Sequence, residues 1–285
     1  MSTLGTANSQ RGDTKRFKGL SWTILGLLIT ALYLFPFYLI LESSLMAQTD
    51  VLRYPPPFVP PQVTFEGYAT AIDTSGQFIR TSLIYGLGTI LVTMIIATPA
   101  AYALARMRSR IGLFLLIALI LAQMAPGFVV ANSLYAMFSR LKLLNSYVAV
   151  ILADSTGAVP FAIIIMRAFM LSIPRELSDA ALVDGAGHWK IFWSIVVPIS
   201  RTAIITAALF SFLAGWGDFL FALTLTNGAE LTPITVGIYR YIGTYSVNWP
   251  AIMATATIAT IPAIVLLTFA QRYIAAGLTA GAIKE

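Results

Sequence analysis

The chain has 285 residues, of which 58% are hydrophobic and only 11% are charged, and its mean hydropathy is +0.82. Because soluble domains carry about 25% charged residues, this composition predicts a polytopic membrane protein and excludes an ordinary soluble fold. The absence of cysteine excludes disulfides, zinc–thiolate sites and thiol catalysis. The net charge of +6 indicates membrane topology rather than nucleic-acid binding, and nucleic acid is not an expected partner.

Six apolar segments are long enough to cross a bilayer, which takes about 20 residues. The predicted spans are 20–41, 82–105, 111–137, 147–170, 197–225 and 250–271. A polar tail, 1–19, precedes this six-span domain, which extends to residue 276, and a second tail, 277–285, follows it. The longest loop, at about 42–80, contains a proline-rich stretch that favours a stiff, extended chain. The predicted fold class is an all-α polytopic membrane protein.

The distribution of Lys and Arg predicts the orientation of these spans. An even number of spans places both tails, the basic turn at 106–110 and the polar segment 174–198 on one face, and that face carries most of the basic residues. Cytoplasmic loops are enriched in Lys and Arg. We therefore expect both termini and the polar segment to lie in the cytoplasm.

The polar segment 174–198 interrupts an otherwise apolar chain and reads as two short helices. Pro174 suits a helix start, and Gly185 can adopt the left-handed conformation that ends a helix. Spacing predicts that four residues share one face of the first helix: Leu177, Ala180, Ala181 and Asp184. A second helix is expected through Trp189, Phe192 and Trp193, with Pro198 opening the next span. This pattern fits either a docking surface for another protein or a connector that dips into lipid headgroups.

Two acidic residues fall inside predicted spans, where charge costs roughly 3 kcal/mol on insertion scales. Asp218 fits either a translocation path or interhelical contact, or a hydrated span end, and the sequence favours neither. For Asp154 the shallow, hydrated position is the favoured interpretation. Trp216 and Asp218 are the candidates for lining a translocation path, although such side chains more often pack helices together.

Known catalytic patterns are missing from the chain. His188 is the only histidine, and no matching constellation surrounds it. No Gly-Lys dipeptide occurs, which excludes a nucleotide-binding P-loop. We therefore predict no catalytic residues and no metal site, and any energised work must draw on another polypeptide or an ion gradient.

Residues 179–198, D-A-A-L-V-D-G-A-G-H-W-K-I-F-W-S-I-V-V-P, resemble the "EAA" loop of permease subunits in binding-protein-dependent ATP-binding-cassette (ABC) importers. The matching positions are Asp179, Ala180, Ala181, Gly185 and Pro198. The D-G-A form at Asp184, Gly185 and Ala186 is most similar to the carbohydrate branch, the MalG-like permeases. Asp179 departs from the family's glutamate by one methylene group, so its reach to a basic partner is shorter.

Three further stretches resemble the same branch, in the order that the family shows. They are R-L-K-L-L-N-S-Y after the third span, F-L-A-G-W-G-D-F-L-F-A-L-T-L-T in the fifth, and Q-R-Y-I-A-A-G-L-T-A-G-A-I-K-E at the end of the chain. The likeness thus covers most of 65–285. In the fifth span, Gly217 replaces the asparagine of the family pattern, so any contribution of that side chain is absent here.

The resemblance implies a six-span type I importer permease in a prokaryotic cell membrane. It would work with a second, MalF-like permease, two ATPase subunits and an external sugar-binding protein. ATP and magnesium would be held by the ATPases, with no cofactor on this chain. The loop would dock on an ATPase through Asp179 and Asp184. Ala180 and Ala181 would allow close fit, and Gly185 would set the angle between the helices. Ala186 and Pro198 would be further coupling residues, with Pro198 at the end of the motif.

The same resemblance implies that the C-terminal tail, at Gly277, Thr279 and Gly281, reaches between the ATPases; a frayed terminus is the alternative. The implied function is import of a mono-, di- or oligosaccharide. A permease of the same architecture for a non-sugar solute remains an alternative, and an ion-coupled secondary transporter is a weaker one, because no clear internal repeat or paired ionisable groups are present.

Overall fold

A computed structural model describes the backbone of residues 9–107, 109–242 and 247–282, and the side chains of 22–107, 109–239, 241–242 and 247–271. The α-helices are α1 (Ser9–Ser44), α2 (Gln48–Val51), α3 (Glu66–Arg106), α4 (Arg110–Ala122), α5 (Gly127–Arg140), α6 (Tyr147–Met170), α7 (Arg175–Val183), α8 (His188–Ile191), α9 (Val197–Ile199), α10 (Arg201–Trp216), α11 (Leu220–Leu225), α12 (Ile234–Gly237) and α13 (Trp249–Ala282). A π-helical segment, Phe192–Val196, joins α8 to α9, and 3₁₀ turns lie at Ala229–Leu231 and Ile238–Tyr241. The described residues contain no strand, only an isolated bridge between Ile242 and Val247.

Six membrane crossings are compatible with the described part of the chain. Four helical stretches are long and apolar enough to span: Trp22–Ser44, Glu66–Arg106, Tyr147–Met170 and Trp249–Gln271. Two bent pairs complete the set, α4 with α5 at 98°, and His188–Ile199 with α10 at 78°. The predicted all-α fold is confirmed. Spans three and five, predicted as continuous helices, are instead broken.

The breaks lie at defined points in the sequence. In the third span the chain turns at 123–126, where Pro126 precedes the first turn of α5 and cannot continue the hydrogen-bond ladder of α4. In the fifth span the 78° bend lies at Ser200, and a second break follows where α10 ends at Trp216 and residues 217–219 separate it from α11. Apolar composition alone does not reveal these breaks, because the residues on both sides are equally hydrophobic.

The loop before the second span is shorter than the predicted 42–80. The proline-rich stretch ends at Pro61, and α3 already begins at Glu66, within the second half of the predicted loop. Nothing between 66 and 81 breaks a helix, and an acidic residue in the first turn suits the positive end of the helix dipole. The second span therefore belongs to a helix of 41 residues.

The chain divides into two compact units, Met1–Thr70 with Asn248–Thr257, and Ala71–Val247 with Ile258–Glu285. In the first, the proline-rich loop returns to α1, where the Tyr38 hydroxyl donates to the carbonyl of Phe58. The backbone N–H of Trp249 also donates to Gln48 Oε1 at 3.0 Å.

In the second unit α3, α6 and α10 pack closely. A Cβ added to Gly215 would lie 2.8 Å from both Thr89 Oγ1 and the carbonyl oxygen of Tyr85. Helix α10 therefore depends on glycine to approach α3, as is common between membrane helices.

Asn145 fastens the turn before α6 to the end of the broken fifth span. Its backbone, at φ 57°, donates to the carbonyl of Leu225 at 3.0 Å. Its side-chain Oδ1 accepts from the N–H of Asn227 at 2.8 Å. The motif R-L-K-L-L-N-S-Y thus contains Asn145, whose two hydrogen bonds hold the C-terminal end of α11 in place.

Candidate functional site: the 174–198 segment

The turn between α7 and α8 is fixed by a double hydrogen bond. Gly185 has φ +80°, its N–H donates to the carbonyl of Leu182 at 3.0 Å, and the N–H of Ala186 donates to the carbonyl of Ala181 at 2.9 Å. This pair of bonds is a Schellman motif, which requires a left-handed residue at the position of Gly185. The predicted role of Gly185 in setting the angle between the two helices fits this geometry.

The side chains of α7 and the turn after it divide into a half-buried group and an exposed group. Ala181 and Ala186 are half-buried and pack against the core between α3, α6 and α10. Asp179, Ala180 and Asp184 are exposed. Ala180 is thus more accessible than Ala181, and a shared docking face for the two stays a prediction. The Schellman turn places Ala181 and Ala186 together, facing the bundle.

The most exposed apolar side chain of the segment is Val183, at 88%. It follows Asp179 by four residues, so the two lie on one face of α7. Val183 is not among the site residues predicted from the sequence. One feature of the sequence could have indicated it: a β-branched apolar residue directly before the D-G pair that ends the helix, outside the buried stripe.

The second arm of the segment comprises α8, the π-helical residues and α9, 188–199, and an aromatic cluster holds it in place. Phe192 is buried and stacks on Trp189, with ring centroids 5.7 Å apart, and contacts Trp193 at 5.1 Å. On its other side it packs against Tyr102 of α3 at 5.6 Å. Trp189 and Trp193 themselves remain largely exposed.

Pro198 lies within the second arm, just before the bend in the fifth span. It belongs to α9, which continues the arm, whereas the spanning helix starts at Arg201 after the bend of 78°. The π-helical segment 192–196 precedes it, and such segments often occur at functional sites. Proline fits here because it occupies the first turn of α9, where its missing N–H is tolerated.

Arg106, at the end of α3, ties the segment to the bundle. Its Nη2 donates to Ser178 Oγ at 3.1 Å, and its guanidinium lies 5.6 Å from the ring centre of Tyr102. In return, Arg175 Nη2 donates to the backbone carbonyl of Arg106 at 3.3 Å. Sequence reasoning used Arg106 only as a topology signal and missed this contact, since no local spacing links residues 106 and 178.

Replacing Arg106 by alanine should weaken the attachment of α7 to α3. A hydrogen bond from a charged donor contributes about 1.5–3 kcal/mol, so we expect α7 to loosen and solute uptake to fall while membrane insertion persists. Ser178→Ala removes only the acceptor and should give a smaller loss in the same direction. Uptake into proteoliposomes measures both; normal uptake by Arg106→Ala would contradict the anchoring role.

The two candidates for a translocation path are both buried and engaged in packing. Trp216 is 5% exposed, stacks on Phe212 and donates from Nε1 to the carbonyl of Ala259 at 3.2 Å. Asp218 is 7% exposed, and its carboxylate accepts from the N–H groups of Phe221 at 3.1 Å and Ala222 at 2.7 Å. Asp218 therefore caps α11. Its burial excludes the hydrated span end considered from the sequence.

Asp154 is also buried, at 5% exposure, so the hydration expected for it is wrong, whereas its position near the start of α6 fits the expected shallow depth. It sits in the second turn of α6, between Ala153 and Ser155, which are buried as well. Its Oδ2 has no hydrogen-bond partner among the described residues. The sequence could not reveal this burial, because helix periodicity shows which residues share a face and not whether another helix covers that face.

The predicted tail contacts Gly277, Thr279 and Gly281 lie on the backbone of α13, which continues as helix to Ala282. Their side chains are outside the described residues, and so are residues 283–285. Exposed His188 begins α8, and no group of metal-ligating side chains occurs in the described ranges.

Comparison with known proteins agrees with this geometry. Residues 94–280 match the family model described as "Binding-protein-dependent transport system inner membrane component". The chain is 32% identical to the probable ABC transporter permease protein y4oR of Sinorhizobium fredii, over 98% of this chain and 99% of that protein. It is 29% identical to the trehalose/maltose transport system permease protein MalG of Thermococcus litoralis, over 92% and 95%.

A solved structure shares the fold. A chain of the bacterial ABC transporter involved in alginate import matches with a TM-score of 0.77 at 20% identity, over 91% of this chain and 97% of that one. The family model covers well over half of the sequence, including the 174–198 segment, both broken spans and most of α13. The chain therefore belongs to the family of binding-protein-dependent transport system inner membrane components.

Proposed function

We propose that this chain is a permease subunit of an ATP-driven importer that moves a sugar, delivered by an external binding protein, into the cytoplasm. The functions of its relatives support a saccharide. They include diacetylchitobiose uptake in Streptomyces coelicolor, sulfoquinovosyl glycerol transport in Agrobacterium fabrum, and melibiose, raffinose and stachyose import in Bacillus subtilis. The substrate class follows from these relatives and not from the fold.

The observation that carries the proposal is an exposed helical element, formed by α7 and α8, that is attached to the membrane bundle. We call it the coupling element. Arg106 and Arg175 fix α7 to the end of α3, and Phe192 fixes the second arm. The opposite side exposes two carboxylates, Asp179 and Asp184, with Val183 between them. A mixed apolar and acidic surface of this kind suits a groove with an apolar floor and basic rim.

The proposed mechanism is mechanical coupling without bond chemistry on this chain. Two ATPase subunits bind and hydrolyse ATP with magnesium, and one of them seats α7 and α8. When the ATPases close, the element moves with them and pulls α3 through Arg106 and α10 through the arm that ends at Ser200. The bend before Arg201 converts this displacement into tilting of α10. A second, MalF-like permease completes the path, and this element and both termini face the cytoplasm.

A second candidate keeps the architecture but changes the cargo. The fold also matches a chain of the MetNI methionine ABC transporter, with a TM-score of 0.58 at 14% identity. The same fold thus occurs in an amino-acid importer, so the coupling element alone does not select a sugar. Stimulation of the complex by amino acids or peptides and not by sugars would favour this candidate.

Co-purification followed by a stimulation screen tests the proposal. The chain is expressed with its neighbouring subunits, and ATP hydrolysis is measured with the binding protein and a panel of sugars, amino acids and peptides. We expect two permeases with two ATPases, and hydrolysis that rises with one sugar. Isolation of the chain without an ATPase, or hydrolysis that no sugar raises, would contradict the proposal.

Truncation after Ala276 tests the C-terminal segment. We propose that 277–285 reaches the ATPases, so its removal should leave ATP hydrolysis active but no longer tied to uptake. The ratio of ATP consumed to sugar imported measures this and should rise several-fold. An unchanged ratio would show that the segment is dispensable and would support the frayed-terminus alternative.

A further inference from the structure

A cavity of about 550 Å³ lies at the end of the bundle opposite the coupling element. Its lining residues are Gly76, Gln77, Arg80, Thr81, Tyr147 and Glu230. Arg80 precedes Arg106 by 26 positions on α3, which corresponds to about 39 Å along the helix. The cavity therefore lies where solute would enter if the coupling element is cytoplasmic. The path candidates Trp216 and Asp218 are not among its lining residues.

The walls of this cavity are held in place by hydroxyl groups. Thr81 Oγ1 donates to the carbonyl of Glu230 at 3.1 Å, and the Tyr147 hydroxyl donates to the same oxygen at 3.2 Å. The Tyr85 hydroxyl fixes the next carbonyl, that of Leu231, at 2.8 Å. The backbone beneath Glu230 is thus bound from both α3 and α6. A site built in this way loses little entropy when a ligand binds.

The polar groups around the cavity suit a neutral polyhydroxylated ligand. Arg80 supplies donors, Glu230 supplies acceptors, and the amide of Gln77 supplies both. One cation and one carboxylate give a lining with no net charge, which disfavours an anionic headgroup or phosphate. Tyr147, tilted against Tyr85 with ring centroids 5.7 Å apart, presents an aromatic wall for the apolar face of a sugar ring.

The charged groups of this lining are available to a ligand. Arg80 and Glu230 form no ion pair with each other in the part of the chain that the structure describes, and both side chains are exposed. The volume falls within the range of about 300–1,000 Å³ typical of small-molecule sites. Gly76 leaves one wall open, since a Cβ built there meets nothing within 4 Å.

We propose that this cavity is a saccharide-binding subsite at the entrance of the transporter, where Arg80, Gln77 and Glu230 hold a sugar ring after its release from the binding protein. The inference rests on the proposed function, because it assumes a sugar as cargo. It adds a direct contact between this subunit and the substrate, at a place that α3, α6 and the loop before α12 build together.

A cysteine reporter tests the subsite, because the chain contains no native cysteine. Gly76→Cys fits without a clash, and its reaction with a membrane-impermeant maleimide is timed in the purified importer without binding protein. The probes are maltose, melibiose, diacetylchitobiose and raffinose. We expect at least one to protect the cysteine; a sugar present at five times its dissociation constant slows modification about sixfold. Ile72→Cys, 67% exposed on the same helix and outside the lining, should react at one rate throughout.

Protection by none of the four sugars would overturn the subsite. Protection by sugar-free binding protein alone would also overturn it, since the cavity would then be a protein-docking surface. As a second measurement, Gly76→Trp fills the cavity and should raise the KM for uptake several-fold, whereas Ile72→Trp should not. If the Gly76→Cys importer still hydrolyses ATP in response to a sugar but shows no protection, only the subsite fails. If no sugar stimulates it, the proposed function itself fails.

Discussion

Replacing Gly185 by valine should abolish sugar uptake while the protein still inserts into the membrane. Gly185 has φ +80°, a conformation that costs an L-residue about 1–2 kcal/mol and a β-branched one more. A Cβ at this position meets nothing within 4 Å, so the effect comes from the backbone alone. Escape from the left-handed conformation breaks both hydrogen bonds of the Schellman turn and changes the angle between α7 and α8.

The matched control is two residues away. Gly187 also has open space around it, but its φ is −73°, which valine adopts readily. Gly187→Val should therefore retain most of the uptake, and Gly185→Asn should fall between the two because asparagine tolerates the left-handed region. Uptake in proteoliposomes, with insertion checked in the membrane fraction, separates these variants. Equal uptake by Gly185→Val and Gly187→Val would remove the turn from the mechanism.

Replacing Asp218 by alanine should destabilise the transporter by about 2–4 kcal/mol, because two buried N–H groups lose their acceptor. Those groups belong to Phe221 and Ala222, in the first turn of α11. The Thr235 hydroxyl donates to the backbone carbonyl of Asp218, so the loop before α12 should loosen as well. Thermal unfolding of the purified importer in detergent measures the change.

Two comparisons sharpen this test. Asp218→Asn keeps one acceptor oxygen and should lose about half as much stability as Asp218→Ala. Asp154→Ala removes a carboxylate whose Oδ2 accepts nothing among the described residues, and it should cost less than about 1 kcal/mol or stabilise. If Asp154→Ala proved as damaging as Asp218→Ala, capping would not explain the role of Asp218.

The architecture was predictable where the signal is local or cumulative. Long apolar runs gave α6 within its predicted bounds, 147–170, and the D-G pair correctly located the end of α7 before Gly185. The loop motif itself is a local pattern, and the family match over 94–280 agrees with it. These features depend on neighbours along the chain, which a sequence displays directly.

The features that escaped prediction depend on contacts between distant residues. The inward packing of Ala181 follows from a core that α3, α6 and α10 assemble, and the link from Arg106 to Ser178 joins residues 72 positions apart. The broken fifth span is a further case. A glycine and an acid in an apolar stretch are compatible with a continuous helix, and only the capping bonds of Asp218 show that α11 starts anew.

Cross-linking from Val183 tests most directly whether α7 docks on an ATPase. Val183→Cys is a single thiol in a cysteine-free chain, at a position 88% exposed, and a short bifunctional reagent can join it to a neighbouring subunit. Tyr54→Cys, 98% exposed on the loop before α3, is the control. We predict a product with the mass of this chain plus one ATPase from Val183→Cys and none from Tyr54→Cys. Absence of that product from the intact, ATP-hydrolysing complex would contradict the docking of α7.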